Sequence, residues 1–162
     1  RLHRVHILLQ PLLPPPKYSM AYKTVYKPLN ESKYVGDYTN IICRSLWERR
    51  VCKYLDTNEN VINWGSEEIV IPYISPLDNR RHRYFPDFIV RIKENTGDVK
   101  TKVIEVKPFK QTKKPERGKK RKATYANECA TYVVNQAKWR AAEDFCSKKN
   151  WEFLVLTEKE IF

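Results

Sequence analysis

The run Tyr84-Phe85-Pro86-Asp87-Phe88-Ile89-Val90 reads as a buried strand with an aspartate set into it directly after a proline. A carboxylate in such a segment is costly unless something pairs it. Eighteen residues on, Glu105 and Lys107 flank Val106 in a second strand-like run. Side chains two apart on a strand share one face, so Glu105 and Lys107 point the same way as Val103, while Ile104 and Val106 point to the other. A workable fold has to set two neighbouring strands so that Asp87, Glu105 and Lys107 meet. The three can satisfy one another as a buried ion-pair cluster. Alternatively, the two carboxylates can hold a hard divalent cation through oxygen while the ammonium positions a water.

The charge distribution favours the second arrangement. At 162 residues and 41% hydrophobic, the chain is long enough for one packed domain and too short for two comfortable ones. Its formal net charge of +12 predicts attraction to a polyanion. Residues 107–122 hold nine Lys or Arg against one Glu and so carry +8 of that +12, while residues 1–19 carry another +3. A basic arm containing Lys110, Lys113, Lys114, Arg117, Lys119, Lys120, Arg121 and Lys122, placed directly after Lys107, is the footprint of phosphate-backbone binding. With two prolines, one glycine and almost no apolar residue, 108–122 is expected to be a long loop, disordered when free and engaged on DNA. Arg80, Arg81 and Arg83 read either as further phosphate contacts or as solubilising charges on a strand edge. His82 between them reads as a solvated turn histidine. Hydrolysis of a phosphodiester is the chemistry that carboxylates, ammonium and arm share.

Other function classes fit less well. Cys43, Cys52, Cys129 and Cys146 form no CxxC pair, so structural zinc is not expected. Reduced, buried thiols and a cytosol-like compartment are expected instead. No apolar run approaches the roughly 20 residues that a membrane-spanning helix needs. The stretch 1–19 has basic residues ahead of Leu8-Leu9, but Pro11 and the triplet Pro14-Pro15-Pro16 break a secretory leader early. Met20 is the only methionine, and 1–19 reads as upstream translated sequence or a disordered extension, leaving 20–162 as the single domain.

Periodicity predicts the elements. Residues 20–40 are polar and tyrosine-rich and read as an extended arm. Ser45 opens a helix on which Trp47, Val51, Tyr54 and Leu55 recur, ending at Asp56-Thr57-Asn58. A short connection over 61–64 leads into strands expected at 67–74, 83–92 and 100–107, an antiparallel meander with turns at 75–79 and 95–98. After the basic loop, Ala126, Ala130, Val133, Ala137, Ala141 and Phe145 mark one face of a long helix capped by Asn150. A closing strand at 151–156 follows, then a short final turn from Thr157. The order is α-β-β-β-α-β. Asn135 and Lys138 share a face of the long helix that looks either to the strands or to solvent. The four tryptophans read as packing anchors, since they are scattered rather than aligned along a strand.

Pro86-Asp87, Glu105-Val106-Lys107 and the upstream helical Glu48 resemble the PD-(D/E)xK nuclease superfamily. More narrowly, Arg44-Ser45-Leu46-Trp47-Glu48, Asn63-Trp64-Gly65-Ser66-Glu67, Ile71-Pro72-Tyr73, Arg83-Tyr84-Phe85-Pro86-Asp87 and Asn135-Gln136-Ala137-Lys138-Trp139 resemble the head completion nucleases of tailed bacteriophages. Transposon-end-cleaving endonucleases are similar at greater distance. The resemblance implies an α/β restriction-endonuclease-like core, a mixed central sheet flanked by helices, and magnesium-dependent cleavage of DNA with manganese able to substitute. It also implies Asp87, Glu105 and the Val106 carbonyl as metal ligands, Lys107 as the residue that orients water, and Glu48 as a ligand directly or through water. Further implications are phage head or portal proteins as partners, and a location in the virion and the host cell cytoplasm. Glu48 has a competing role, because Ser45-Leu46-Trp47-Glu48 matches a capping box in which the glutamate reaches the Ser45 amide. A DNA-binding virion protein without catalysis and a transposase-like subunit that cuts only in a complex remain the alternatives.

Neutralising Lys119, Lys120, Arg121 and Lys122 together is expected to weaken DNA binding and to flatten its dependence on salt. Binding measured across a salt series checks this, and an unchanged slope refutes the role.

Overall fold

The computed structural model describes residues 23–162, so the readings of 1–19 and Met20 lie outside the described residues. A four-stranded mixed sheet forms the centre, in the order β3 (Val61–Ser66), β6 (Phe88–Lys93), β7 (Val99–Val106), β8 (Glu152–Leu156). The first three strands are antiparallel, and β8 joins β7 in parallel. A parallel neighbour demands a long crossover. The helix α2 (Lys122–Lys148) supplies it.

Two helices cover the two faces. On one side α1 (Leu46–Thr57) lays Val51, Cys52 and Leu55 against Trp64, Phe88, Val90, Ile104 and Val106. On the other, Trp139 and Ala142 of α2 pack with Phe153, Val155 and a separate hairpin, β4 (Ile71–Ile74) with β5 (Arg81–Tyr84). Burying strands on both faces explains why β7 reads apolar from Val103 to Val106 apart from Glu105. A short helix, α3 (Glu158–Ile161), ends the chain with a Thr157–Glu160 capping box. Among the described residues, no helix is long and apolar enough to cross a membrane.

Several expected boundaries move. Residues 61–64, read as a connection, belong to β3 at the sheet edge. Only 71–74 of the expected first strand is a strand, and it lies in the hairpin outside the central sheet. The expected strand 83–92 is two strands, because Pro86 has no amide hydrogen to donate and the ladder stops on either side of it. Tyr84 consequently ends the hairpin and Phe88 starts the central strand. In α2 the buried positions are Asn135, Trp139, Ala142 and Cys146, whereas Ala126 and Val133 are exposed. The alanine periodicity misplaced that face because the first half of the helix has no sheet beneath it. Its C-terminus closes as expected, with Asn150 at φ 57 and the Trp151 amide donating to the Cys146 carbonyl (2.8 Å).

The arm expected over 20–40 is instead integrated into the domain. Its described part forms β1 (Thr24–Tyr26), paired antiparallel with β2 (Ile41–Cys43), and buries Tyr26 and Tyr34 against Trp64. Asp56, fully buried at the end of α1, is its anchor. It accepts from the Tyr26 hydroxyl (2.9 Å) and from the Leu29 (2.7 Å) and Asn30 (2.9 Å) amides. Lys33 reaches over to cap the carbonyls of Asp56 and Asn58. Burial alone would raise the Asp56 pKa, but these hydrogen bonds outweigh it and hold the carboxyl below its ordinary value. The stabilisation is therefore present above the ordinary aspartate range and is lost as pH falls through the lowered folded-state value. Asp56→Ala is expected to cost about 3 kcal/mol, because two amides and a hydroxyl lose a charged acceptor at once. Urea unfolding checks this, and a loss under about 1 kcal/mol would contradict the anchor.

Candidate active site

The break at Pro86 leaves Val106 without a ladder partner on the β6 side. The Asp87 carboxylate takes that place, accepting the Val106 amide at 2.7 Å. The backbone amide and carbonyl of one strand residue lie on the same edge of the strand, so the Val106 carbonyl also faces the Asp87 side. Beside it on β7, Glu105 accepts the Tyr84 hydroxyl (2.6 Å) and pairs with Lys107 (3.0 Å). Lys107 is itself fixed through its amide to the Leu156 carbonyl (2.9 Å), which carries the sheet one residue past the end of β7.

Glu48 approaches from the first turn of α1. Ser45 caps the helix by accepting the Glu48 amide (3.0 Å). The expected reciprocal bond differs: the Glu48 carboxylate accepts the Arg44 amide (2.7 Å) rather than that of Ser45. Glu48 is therefore tied to the helix start while its charge still acts on Asp87.

Electrostatics identify these groups as one site. Burial pushes the Asp87 pKa up to about 8, the neighbouring Glu105 and Glu48 charges push the same way, and the Val106 amide and Lys107 only partly offset them. Burial likewise raises Glu48. For Lys107, burial favours the neutral form, but Glu105, Asp87 and Glu48 outweigh it and raise the pKa. Tyr84 is raised by burial and by Glu105, so it remains a hydroxyl donor. Carboxylate repulsion set against a single ammonium is the environment that a hard cation relieves, and the donors on offer are oxygens. The residues fit such an ion chemically. In the arrangement described, each carboxylate is turned to a protein partner, and no three carboxylate, histidine or cysteine side chains close round one point among the described residues.

Three neighbours carried no assigned role in the sequence reading. Arg44 forms an ion pair with Glu67, and its pKa is raised by Glu67, Glu48 and Asp87. Glu67 adopts φ 55, a left-handed conformation strained for a residue with a side chain, and its amide donates to the Asp87 carbonyl (3.1 Å). Tyr84 is the third. All three sit inside the family-like segments quoted above, which was the available signal.

The candidate DNA contacts divide. The basic loop is not a free arm: a 3₁₀ turn at Phe109–Thr112 begins it, and α2 already starts at Lys122. With Lys110, Lys113, Lys114, Arg117, Lys119 and Lys120 it walls a groove against the first half of α2. Lys120 is tied to Glu128 (2.5 Å), whereas Arg121 and Lys122 are exposed at the helix start. Arg81 and Arg83 are exposed on β5, Arg83 lying over the Phe85 ring, while His82 bonds Asp78 (2.8 Å) within its turn. Lys138 faces inward, its ammonium 5.6 Å from the Tyr84 ring centre.

Asp87 keeps a proton in the folded protein over a range in which the unfolded chain has lost it. The metal-free protein is therefore expected to lose stability as pH rises from about 4 to about 8. Asp87→Asn, which cannot ionise, should melt above the parent protein at pH 8 in chelator and level with it at pH 4. Coincident melting curves at pH 8 would contradict the assigned repulsion.

The family model described as TnsA-like endonuclease N terminal matches residues 58–158, which include Asp87, Glu105 and Lys107 but not Glu48. The chain is also 39% identical over 146 residues to the head completion nuclease of Enterobacteria phage T4, covering 86% of this chain and 93% of that protein. A match across most of both lengths, together with carboxylates and a lysine brought to one sheet end, makes this chain a member of the TnsA-like endonuclease family.

Proposed function

We propose that the protein is a magnesium-dependent deoxyribonuclease of a tailed bacteriophage that acts on DNA during head completion. The observation that carries the reading is the junction of Asp87, Glu105 and Lys107 at the Pro86 break, directly ahead of the basic loop. Asp87, Glu105 and the Val106 carbonyl would hold the ion, with Glu48 binding it directly or through water. When bound, magnesium or manganese supplies Lewis-acid polarisation of the scissile phosphate and a more acidic water.

The protein residues do the remaining work. Lys107, held at 3.0 Å from Glu105, orients the attacking water and offers its positive charge to the phosphate as negative charge builds there. Tyr84 fixes Glu105 by donating to one of its oxygens, leaving the carboxylate little freedom to rotate. The pair Arg44–Glu67 braces the Asp87 segment, and Arg44 adds positive charge on the Glu48 side. The exposed cations of the loop, with Arg81 and Arg83, bind the DNA backbone without reading bases. Phage head or portal proteins are the partners this role implies, with the virion and the host cytoplasm as its places of action.

Linear and circular DNA incubated with the purified protein should be cut with magnesium and left intact with chelator. Asp87→Asn or Lys107→Ala should slow cleavage at least ~100-fold while DNA affinity stays within ~3-fold. DNA binding with no cleavage by the parent protein would instead favour a structural role, and cleavage restored only by added phage proteins would favour a partner-dependent subunit.

A further inference from the structure

We infer that the groove between the basic loop and the first half of α2 is a single-strand site, taking about two unpaired nucleotides beside the scissile phosphate. The inference rests on the nuclease reading and adds the substrate class: DNA with an unpaired end or flap rather than a blunt duplex.

Size sets the first limit. The groove encloses about 940 Å³. Cavities of roughly 300–1,000 Å³ hold one compact organic ligand, so the space admits a nucleotide or two of a single strand. That volume suits one strand rather than two.

Charge and an unpaired donor set the second. On the loop wall, Lys110, Lys113, Lys114, Arg117 and Lys119 have no carboxylate partner among the described residues, while Lys120 is neutralised by Glu128 and the Glu116 side chain is the one further acid on the lining. At the base of the opposite wall, Asn135 is only 6% exposed, and its side-chain amide nitrogen has no hydrogen-bond partner. A buried amide donor left open costs stability unless a ligand uses it. Its donor and acceptor pair suits a base edge or a phosphate oxygen. Tyr132, three residues earlier on the same helical face and half-buried, presents an aromatic ring to the groove on which a base can stack.

Direction sets the third. Lys138, one turn beyond Asn135, lies over Tyr84, whose hydroxyl donates to Glu105. The helix face carrying Tyr132, Asn135 and Lys138 thus runs from the groove to the acidic residues, and the loop wall starts directly after Lys107. A strand seated in the groove leads its next phosphate toward the catalytic groups.

Fluorescence anisotropy in chelator, with a hairpin duplex that is either blunt or carries a tail of about four unpaired nucleotides, tests the site without any cleavage. The parent protein is expected to prefer the tailed DNA by at least ~10-fold. Tyr132→Ala and Asn135→Leu should each cut that preference at least ~5-fold and leave blunt-end affinity unchanged. Tyr132, only half-buried, keeps the test valid if the Asn135 variant fails to fold. Equal affinity for the two DNAs, or equal losses on both in the variants, overturns the groove assignment even if magnesium-dependent cleavage is intact. Failure to bind either DNA overturns the nuclease reading and the groove with it.

Discussion

The hydrogen bond from the Val106 amide to the Asp87 carboxylate joins the fold to the candidate site. Pro86 removes the backbone donor that would have continued the ladder, so the two strands part just where the hairpin lifts away from the central sheet. A side chain then closes the gap that the backbone leaves. This single substitution of carboxylate for ladder brings Asp87 to the end of β7, next to Glu105 and Lys107. It also holds an acid in a place where burial and two neighbouring carboxylates disfavour its charge.

At this point the fold carries a local electrostatic cost. A buried acid cluster around one ammonium destabilises the fold. The surrounding structure compensates elsewhere, notably through the hydrogen bonds of the buried Asp56 that fasten the N-terminal segment to α1 and through the apolar packing around Trp64. The strained backbone at Glu67 and its ion pair with Arg44 belong to the same economy: a rigid frame over-determines a site that would relax if left alone.

Much of the candidate site was legible in the residues. Asp87 and Glu105-Val106-Lys107 stand out because charged groups interrupt β-branched runs, a pattern that a purely structural strand avoids. The long helix and the closing strand after it were likewise readable from periodicity, whereas the parallel pairing of that strand with β7 came with the structure. The edge strand 61–66 was not, because its Asn63-Trp64-Gly65 lacks alternation and it is held by pairing with β6 and burial of Trp64 rather than by propensity. The face of α2 was misread for a related reason: alanines report helix formation, but which side is buried depends on where the sheet ends. Tyr84, Arg44 and Glu67 carry no signal of charge or periodicity beyond their place in the family-like segments, since their importance comes from what they touch.

The residue pattern alone carries the chemical inventory: two acids and a lysine at strand spacing, a concentrated basic stretch after them, and a proline that no central ladder can pass. Packing in three dimensions adds that the proline splits one expected strand between two sheets and that the basic stretch folds against a helix into a groove. It also turned Glu48 toward the Arg44 amide. Local patterns encode which face of an element is apolar. Which elements meet is decided by long-range pairing and burial, where one missing amide hydrogen is enough to redirect the chain.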